Sequence, residues 1–217
     1  MNTLYSIEPK TNHLLCNNNP TLIRLINSDS PLATTLTQCH NHYEILKLIR
    51  QSPNEAQMPP VGVIGPKDAT DKQYQVAESL GENLATLGLT VICGGRNGVM
   101  EAVCKGVFKG KGQSIGLLPG EHWHEANPYL TVPIATNLGA ARNSLIAQAA
   151  FSLIAVGGGY GTTTEMAYGL HYGKAVFATA EAPHIEGVQY HLNIEEIVEQ
   201  VVNQLFDQRS FSVPSMP

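Results

Sequence analysis

The 217-residue sequence has few charged side chains, no long apolar run and no cluster of basic residues. No stretch reaches the roughly 18 apolar residues that a membrane-spanning helix needs, so we expect no membrane partner. Charged residues make up 14% of the chain, against a usual share of about a quarter, which suggests surface buried against copies of the same chain. A formal net charge of -5 without a Lys/Arg run argues against nucleic acid as a partner, because binding duplex phosphates requires clustered cations.

Cysteine motifs and targeting signals are also absent. The four cysteines, at positions 16, 39, 93 and 104, form no CxxC pair, and residues 1–5 show no basic segment followed by an apolar one. We therefore predict reduced cysteines and a cytoplasmic protein. The pairs His40/His42 and His122/His124 have no Cys or carboxylate partners in a zinc-type pattern, so we predict no metal site.

Glycine is absent from residues 1–61, and all 20 glycines follow. This change predicts a small N-terminal subdomain and linker over 1–60, a main domain over 61–206 and a loose C-terminal tail over 207–217. In the Asn-rich first part we predict strands at 3–7 and 21–26, a turn at 16–20, a helix at 43–49 and a polar linker at 51–60.

The main domain alternates short apolar runs with segments of helical periodicity. The runs predict strands at 61–64, 89–93, 114–118, 153–156 and 175–178. Helices are expected from Asp71 up to Gly88 and at 100–108, 140–150, 162–172 and 194–206. Strands that alternate with helices indicate the α/β class, and we predict a Rossmann-like open parallel sheet with helices on both faces.

Two glycine-rich loops each follow a predicted strand and precede a helix. They are Gly94-Gly95-Arg96-Asn97-Gly98 and Gly157-Gly158-Gly159-Tyr160-Gly161. Such loops let backbone N–H groups approach an anion at a helix N-terminus, so we predict one phosphate site, although glycines that merely permit tight turns are the alternative. Neither loop has GxGxxG or GxxxxGK[ST] spacing, which disfavours a dinucleotide or a Walker-type triphosphate. The predicted ligand-binding residues are Gly94, Gly95, Arg96, Asn97, Gly98, Asn143, Gly158, Gly159, Tyr160, Gly161, Thr162 and Thr163.

Two charged residues are candidates for chemistry beside these loops. Arg142 lies near the start of a predicted helix, where a cation is unfavourable unless an anion is present. Glu165 is expected on the first turn of the helix that follows the second loop. A surface Glu that complements the helix dipole and a solvated or interfacial Arg remain open as alternatives.

The residues Gly158-Gly-Tyr-Gly-Thr-Thr-Thr-Glu165 resemble the PGGxGTxxE motif of the LOG ("lonely guy") family, which are phosphoribohydrolases acting on nucleoside 5'-monophosphates. Arg142 precedes the loop at the spacing of that family's motif arginine, and Gly94 to Met100 is similar to its GGGxxGLM segment. The resemblance implies a Rossmann-like sheet, a homodimer or higher homo-oligomer, and an Arg and a Glu beside the ribose.

Three departures look closer to a LOG-like branch that includes molybdenum-cofactor carrier proteins. Gly157 replaces the motif proline, Ala140-Ala-Arg-Asn143 stands for the family's HERK stretch, and Cys93 replaces the first glycine of GGG. That branch binds a phosphorylated pterin without necessarily transforming it.

The leading hypothesis is therefore an enzyme that hydrolyses the N-glycosidic bond of a nucleoside 5'-monophosphate without a required cofactor. Arg142 would hold the phosphate, and Glu165 would stabilise oxocarbenium-like charge or activate water. The alternative is a non-catalytic carrier for the molybdenum cofactor or a related phosphorylated ligand. A third hypothesis, kinship with DNA-processing proteins of this superfamily, is disfavoured by the acidic balance.

The segment Glu121-His-Trp-His-Glu125 follows Leu118-Pro-Gly120 at the end of a predicted strand. It could line the mouth of the ligand site, with Trp123 stacking on a base or a pterin. An ordinary loop with one packed Trp explains the pattern equally well.

Overall fold

The computed structural model describes residues 3–179 and 181–207, so most of the predicted tail lies outside the described residues. The N-terminal part forms a four-stranded antiparallel sheet with two helices inserted before its last strand. Its elements are β1 (Tyr5–Ile7), β2 (His13–Cys16), β3 (Asn19–Leu25), α1 (Pro31–Leu36), α2 (His42–Gln51) and β4 (Ala56–Gln57). The strands lie in the order β1-β2-β3-β4.

Three of these elements, β2, α1 and β4, were not predicted. The strand β4 lies within the predicted linker 51–60 and pairs with β3, so that segment is not all loop. The predicted turn is shorter than expected, because Asn17 and Asn18 adopt left-handed backbone angles and β2 ends at Cys16. The helix α1 is too short for helical periodicity, although Ser30 caps it and proline occupies its first position.

The main sheet has seven strands, all parallel, which confirms the predicted fold class. Its strands are β5 (Val61–Ile64), β6 (Val91–Cys93), β7 (Ser114–Leu118), β8 (Val132–Ala135), β9 (Ser152–Ala155), β10 (Ala175–Thr179) and β11 (Gln189–His191). They lie in the order β11-β10-β9-β5-β6-β7-β8. The sequence does not predict β8 and β11, because β8 contains a proline and β11, Gln-Tyr-His, has no apolar run.

Helices cover both faces of this sheet. They are α3 (Asp71–Thr86), α4 (Val99–Lys109), α5 (Arg142–Ala149), α6 (Tyr160–His171) and α7 (Ile194–Phe206). Alternate strand side chains serve two separate cores: Phe177 packs in the core of α3, α4 and α7, whereas its neighbours Val176 and Ala178 pack in the core of α5 and α6. In residues 3–179 and 181–207, no helix is both long and apolar enough to cross a membrane.

Gly88 ends α3 as predicted. Its backbone has a φ of +76°, its N–H donates to Ala85, and the N–H of Leu89 donates to Leu84. These two bonds form a Schellman motif, which needs a left-handed residue at this position.

The N-terminal part packs into the same apolar core as helices α3, α4 and α7. Tyr5 and Phe206 contact edge to face with ring centroids 6.2 Å apart, and His42 stacks on Phe206 at 4.0 Å. Leu14 and Ile23 belong to the same apolar cluster as the α7 side chains. We still propose residues 1–60 as a unit appended to the domain 61–206, and the shared core attaches it firmly.

Candidate functional site

The strand order places three loops at one edge of the main sheet. Chain connections run from β5 outward to β6, β7 and β8, and then return to β9 on the other side of β5. The loops after β5, β6 and β9 therefore meet at the carboxyl edge around a topological switch point. Ligands of open α/β sheets bind in such crevices.

The first glycine loop is held from two sides. Gly98 has a φ of +68° and lies against the carbonyls of Pro66 and Lys67 in the loop after β5. On the other side, the Asn127 side-chain amide donates to the carbonyls of Gly95 at 3.1 Å and Arg96 at 3.2 Å. The Asn127 backbone N–H also donates to Gly95, so the conformation of this loop is fixed by its neighbours.

The second glycine loop makes a tighter turn than expected. Gly157 and Gly158 have φ angles of +62° and +147°, and the Gly157 N–H donates to the Thr179 hydroxyl. Helix α6 then starts at Tyr160 with Gly159 as its N-cap, two residues before the predicted start. Glu165 consequently lies on the second turn of α6, and its prediction on the first turn was wrong.

Three helix N-termini at this edge have no side-chain cap. The N-cap residues of α4, α5 and α6 are Gly98, Ala141 and Gly159, and none accepts a hydrogen bond through a side chain. The helices α1, α2, α3 and α7 are all capped by a side-chain oxygen. Uncapped first-turn N–H groups carry positive potential and are free to bind an anion.

Arg142 lies between the first glycine loop and helix α6. Its residue surface is only 8% exposed, so the interpretation as a solvated Arg was wrong. The Nη1 atom lies 3.5 Å from Glu165 Oε1, and Nη2 lies against Gly94, where any Cβ would overlap it. The Nε–H is buried with no hydrogen-bond partner among residues 3–179 and 181–207, a costly arrangement unless a ligand accepts from this guanidinium.

Glu165 is the buried partner of this arginine. It is 6% exposed, which contradicts the interpretation as a surface Glu. Burial raises the pKa of Glu165 to about 7, while the positive charge of Arg142 opposes that rise. Burial also lowers the pKa of Arg142. The carboxyl group can therefore gain or lose a proton near neutral pH.

The remaining predicted residues surround this pair. The amide of Asn143 lies near Gly161, and Thr162 is buried against Gly158. The hydroxyl of Thr163 donates to the Gly159 carbonyl at 3.0 Å. The exposed members are Arg96, Asn97, Gly159, Tyr160 and Gly161. Contact of these residues with a ligand stays a prediction.

Three residues that support the loops were not predicted. They are Asn127, Thr179, and Gln73, whose side chain lies against Gly157. Thr179 directly follows a predicted strand, and this position at the carboxyl edge was the available signal. Asn127 and Gln73 reach the loops only through the tertiary fold.

No metal centre is evident in the part of the chain that the structure describes, because no three His, Cys, Asp or Glu side chains are grouped there. Cys93 and Cys104 are fully buried, with their sulfur atoms 3.7 Å apart. Both residues belong to the apolar core on the α3, α4 and α7 side of the sheet.

Comparison with known proteins gives relatives that share this architecture. An uncharacterized protein of Archaeoglobus fulgidus is 37% identical over 143 residues, which are 66% of this chain and 94% of that protein. The molybdenum cofactor binding protein of the phototrophic bacterium Rippkaea orientalis is 31% identical with a TM-score of 0.64, over 68% of this chain and 97% of that one. The molybdenum cofactor carrier protein of Chlamydomonas reinhardtii is also 31% identical, with a TM-score of 0.63, over 69% and 99% of the two chains.

The family of this chain is assigned from a match to a protein-family model. The model of the SLOG cluster4 family covers residues 58–209, which include both glycine loops, Arg142 and Glu165. Kinship with the LOG phosphoribohydrolases themselves stays a prediction. Because the matched segment is more than half of the sequence, the chain belongs to the SLOG cluster4 family.

Proposed function

We propose that this protein binds a small phosphorylated ligand at the carboxyl edge of its main sheet, as a carrier of the molybdenum cofactor or of a closely related molecule. The observation that carries the proposal is the Arg142 guanidinium. It is buried between Gly94 of the first glycine loop and Glu165 of α6, with an Nε–H that no other group accepts among the described residues. A phosphate group matches these donors in charge and in geometry.

The carrier form of the proposal is supported by the solved relatives. Both have names that state binding or carriage of the molybdenum cofactor, and each covers about the same two thirds of this chain. The cofactor would be the cargo here, held through its phosphate by the glycine loops and Arg142. Such binding requires no bond to be broken.

The bound cargo can be identified directly. We expect protein purified from cells that synthesise the molybdenum cofactor to carry molybdenum and a phosphorylated pterin, measured by elemental analysis and mass spectrometry. Arg24→Ala, which removes an exposed arginine of β3, should retain this cargo, and Arg142→Ala should lose it. Equal cargo in both variants, or none in the unmodified protein, would argue against a carrier.

A second candidate function is hydrolysis of a nucleoside 5'-monophosphate, and Glu165 is the observation that favours it. A buried carboxyl group with a pKa of about 7 lies beside the arginine expected to hold the phosphate. When ionised, it could accept a proton from the water that attacks C1' as the bond to the base breaks. That proton then passes to the departing base nitrogen, giving ribose 5-phosphate and free base. Incubation with AMP, GMP and CMP tests this: release of base that Glu165→Gln abolishes supports hydrolysis, and no release from any of them contradicts it.

The titration of Glu165 predicts how binding depends on pH. Ionised Glu165 competes with the phosphate for Arg142 and also repels the phosphate. Protonated Glu165 does neither. Because its pKa is about 7, affinity for a phosphate monoester should fall as pH rises from 6 to 8. The second ionisation of the phosphate, near pH 6, acts in the opposite direction, so a comparison with Glu165→Gln is needed.

Calorimetric titration with GMP at pH 6 and pH 8 separates the two effects. We expect the affinity of the natural protein, relative to Glu165→Gln, to drop by about fivefold between these values, for a coupling of about one pKa unit. Parallel pH profiles for both proteins would show that Glu165 does not sense the bound anion.

We further propose that the chain forms a homodimer or higher homo-oligomer through the exposed sides of α5 and α6, called here the α5–α6 face. Arg142 and Glu165 are the only Asp, Glu, Lys or Arg residues of these helices, and both are buried. The face exposes Leu145, Ala167 and Tyr168 instead. An uncharged helical face of this kind is typical of an interface.

Introducing charge on this face should dissociate the oligomer. We expect Tyr168→Glu to sediment as a monomer, because an unpaired carboxylate would be desolvated in the interface. Phe108→Glu is the matched control, since Phe108 is an exposed aromatic of α4 on the opposite face of the sheet. Sedimentation velocity that gives the same species for both variants would contradict the proposal.

Absence of nucleic acid binding and a cytoplasmic location stay predictions.

A further inference from the structure

Trp123 is a large aromatic side chain that the fold does not use. It is the sole tryptophan of the sequence and lies in a short 3-10 turn, Trp123–Glu125, after the carboxyl end of β7. Its residue surface is 67% exposed, and it joins neither of the two apolar cores. An exposed tryptophan at this edge of the sheet has no folding role among the described residues, so a binding role has to be considered.

The segment that carries Trp123 is attached to the first glycine loop. Asn127, four residues further on, makes the bonds to Gly95 and Arg96 described above. Gly95 in turn packs beside Leu118, the last residue of β7. The position of Trp123 is therefore tied to the loop that takes part in the proposed phosphate site.

The sheet order sets the distance between Trp123 and the second glycine loop. The strands β7 and β9 are separated by β6 and β5, so three strand spacings give about 14 Å between their ends. A ligand that reaches both ends must therefore be extended, with its phosphate near α6 and its ring near Trp123. Inorganic phosphate or a sugar phosphate is too short to occupy both positions.

The charges around Trp123 fix which end of the ligand lies there. Glu121 and Glu125 lie two residues before and after the tryptophan, with His122 and His124, whose rings stack on each other, between them. Glu121 Oε1 lies 3.1 Å from His122 Nε2, and the Glu125 carboxylate lies against Gly120. Carboxylates repel a phosphate, and they accept hydrogen bonds from ring N–H and amino groups. The acidic end therefore suits the heterocycle, and the end at Arg142 suits the phosphate.

We propose that Trp123 stacks on a planar nitrogen heterocycle of the ligand, whose phosphate is held by the glycine loops and Arg142. The ligand class is then a heterocycle joined to a phosphate monoester, such as a purine nucleotide or a pterin phosphate. This inference rests on the proposed function, because it takes the phosphate position from it. Trp123 determines which phosphorylated compounds are retained.

The test compares two probes that differ only by the ring. GMP carries a base, and ribose 5-phosphate has the same sugar and phosphate without it. We expect Trp123→Ala to weaken GMP binding by about tenfold, because stacking on an aromatic side chain contributes strongly to the binding of a base. The variant should bind ribose 5-phosphate as the natural protein does, and Trp123→Phe should retain most of the affinity for GMP.

Phe108→Ala is the matched control, since Phe108 is also 67% exposed but lies on α4 away from the carboxyl edge. It should bind both probes normally. The sole tryptophan also provides a direct signal: GMP should quench its fluorescence, and ribose 5-phosphate should not.

The outcomes separate the two proposals. If GMP binds in an Arg142-dependent manner while Trp123→Ala has no effect and the fluorescence does not change, the stacking role is wrong and the phosphate site stands. If GMP binds no more tightly than ribose 5-phosphate, the stacking role is likewise wrong. If neither probe binds, the proposed phosphate site fails, and the role of Trp123 fails with it.

Discussion

Replacing Arg142 by alanine is expected to weaken the binding of GMP by about a hundredfold. The guanidinium supplies a charge and several N–H donors inside a buried site, and hydrogen bonds to charged groups contribute roughly 1.5 to 3 kcal/mol each. Two such bonds to one phosphate account for the predicted loss. Isothermal titration calorimetry with the natural and variant proteins measures it.

Two further variants show whether the loss is specific. Arg142→Lys keeps the charge without the planar fork, so it should recover only part of the affinity. Arg24→Ala removes an exposed arginine of β3 and should leave binding unchanged. Loss of Arg142 should cost the fold little near neutral pH, because Glu165 can then stay protonated. If Arg142→Ala bound GMP normally, the assignment of the anion site to this arginine would be wrong.

Gly158→Ala is expected to have the second largest effect. The φ of Gly158 is +147°, a conformation that other residues rarely adopt, and an added Cβ would lie 2.6 Å from Thr162 Cβ. Since Thr162 is buried, the turn before α6 must shift to relieve this contact. We expect a loss of about 2 kcal/mol in the free energy of unfolding, together with at least tenfold weaker GMP binding.

The adjacent Gly159→Ala is its matched control. Gly159 has a φ of -142°, and no atom lies within 4 Å of the position that its Cβ would occupy. Chemical denaturation of both variants should therefore separate them clearly. Equal losses in the free energy of unfolding at the two positions would mean that the turn at Gly158 does not require a glycine.

The fold was predictable where strands are buried on both sides. The segments 61–64 and 114–118 are apolar runs between helical segments, and the structure has β5 and β7 at those bounds. The edge strands β8 and β11 were not predictable in this way, because a proline lies within β8 and β11 has no apolar run. In the N-terminal part, β4 has only two residues and is defined by its pairing with β3, which no local pattern encodes.

The candidate site was predictable in its backbone more than in its electrostatics. Glycine spacing indicated both loops, and a cation near a helix start indicated Arg142. The burial of Glu165, and hence its raised pKa, depends on the packing of α5 against α6 and could not be inferred from the residues around it. The hydrogen bond from Asn127 to Gly95 also depends on the tertiary fold, because the two residues are 32 positions apart in the sequence.

The choice between the two functional hypotheses changed with the comparisons. The sequence favoured hydrolysis because an arginine and a glutamate occupy the motif positions of a hydrolase family. The solved relatives instead carry names of molybdenum cofactor binding or carrier proteins, which supports the alternative. Both functions require a phosphate bound at the second glycine loop beside Arg142. The existence of this phosphate site is therefore the central claim.

A crystal structure of the protein with bound GMP tests this claim most directly. We predict a phosphate group at the turn Gly157 to Gly161, within hydrogen-bond distance of the Arg142 guanidinium and the first N–H groups of α6. A phosphate bound elsewhere on the molecule, or one at this turn without contact to Arg142, would contradict the account.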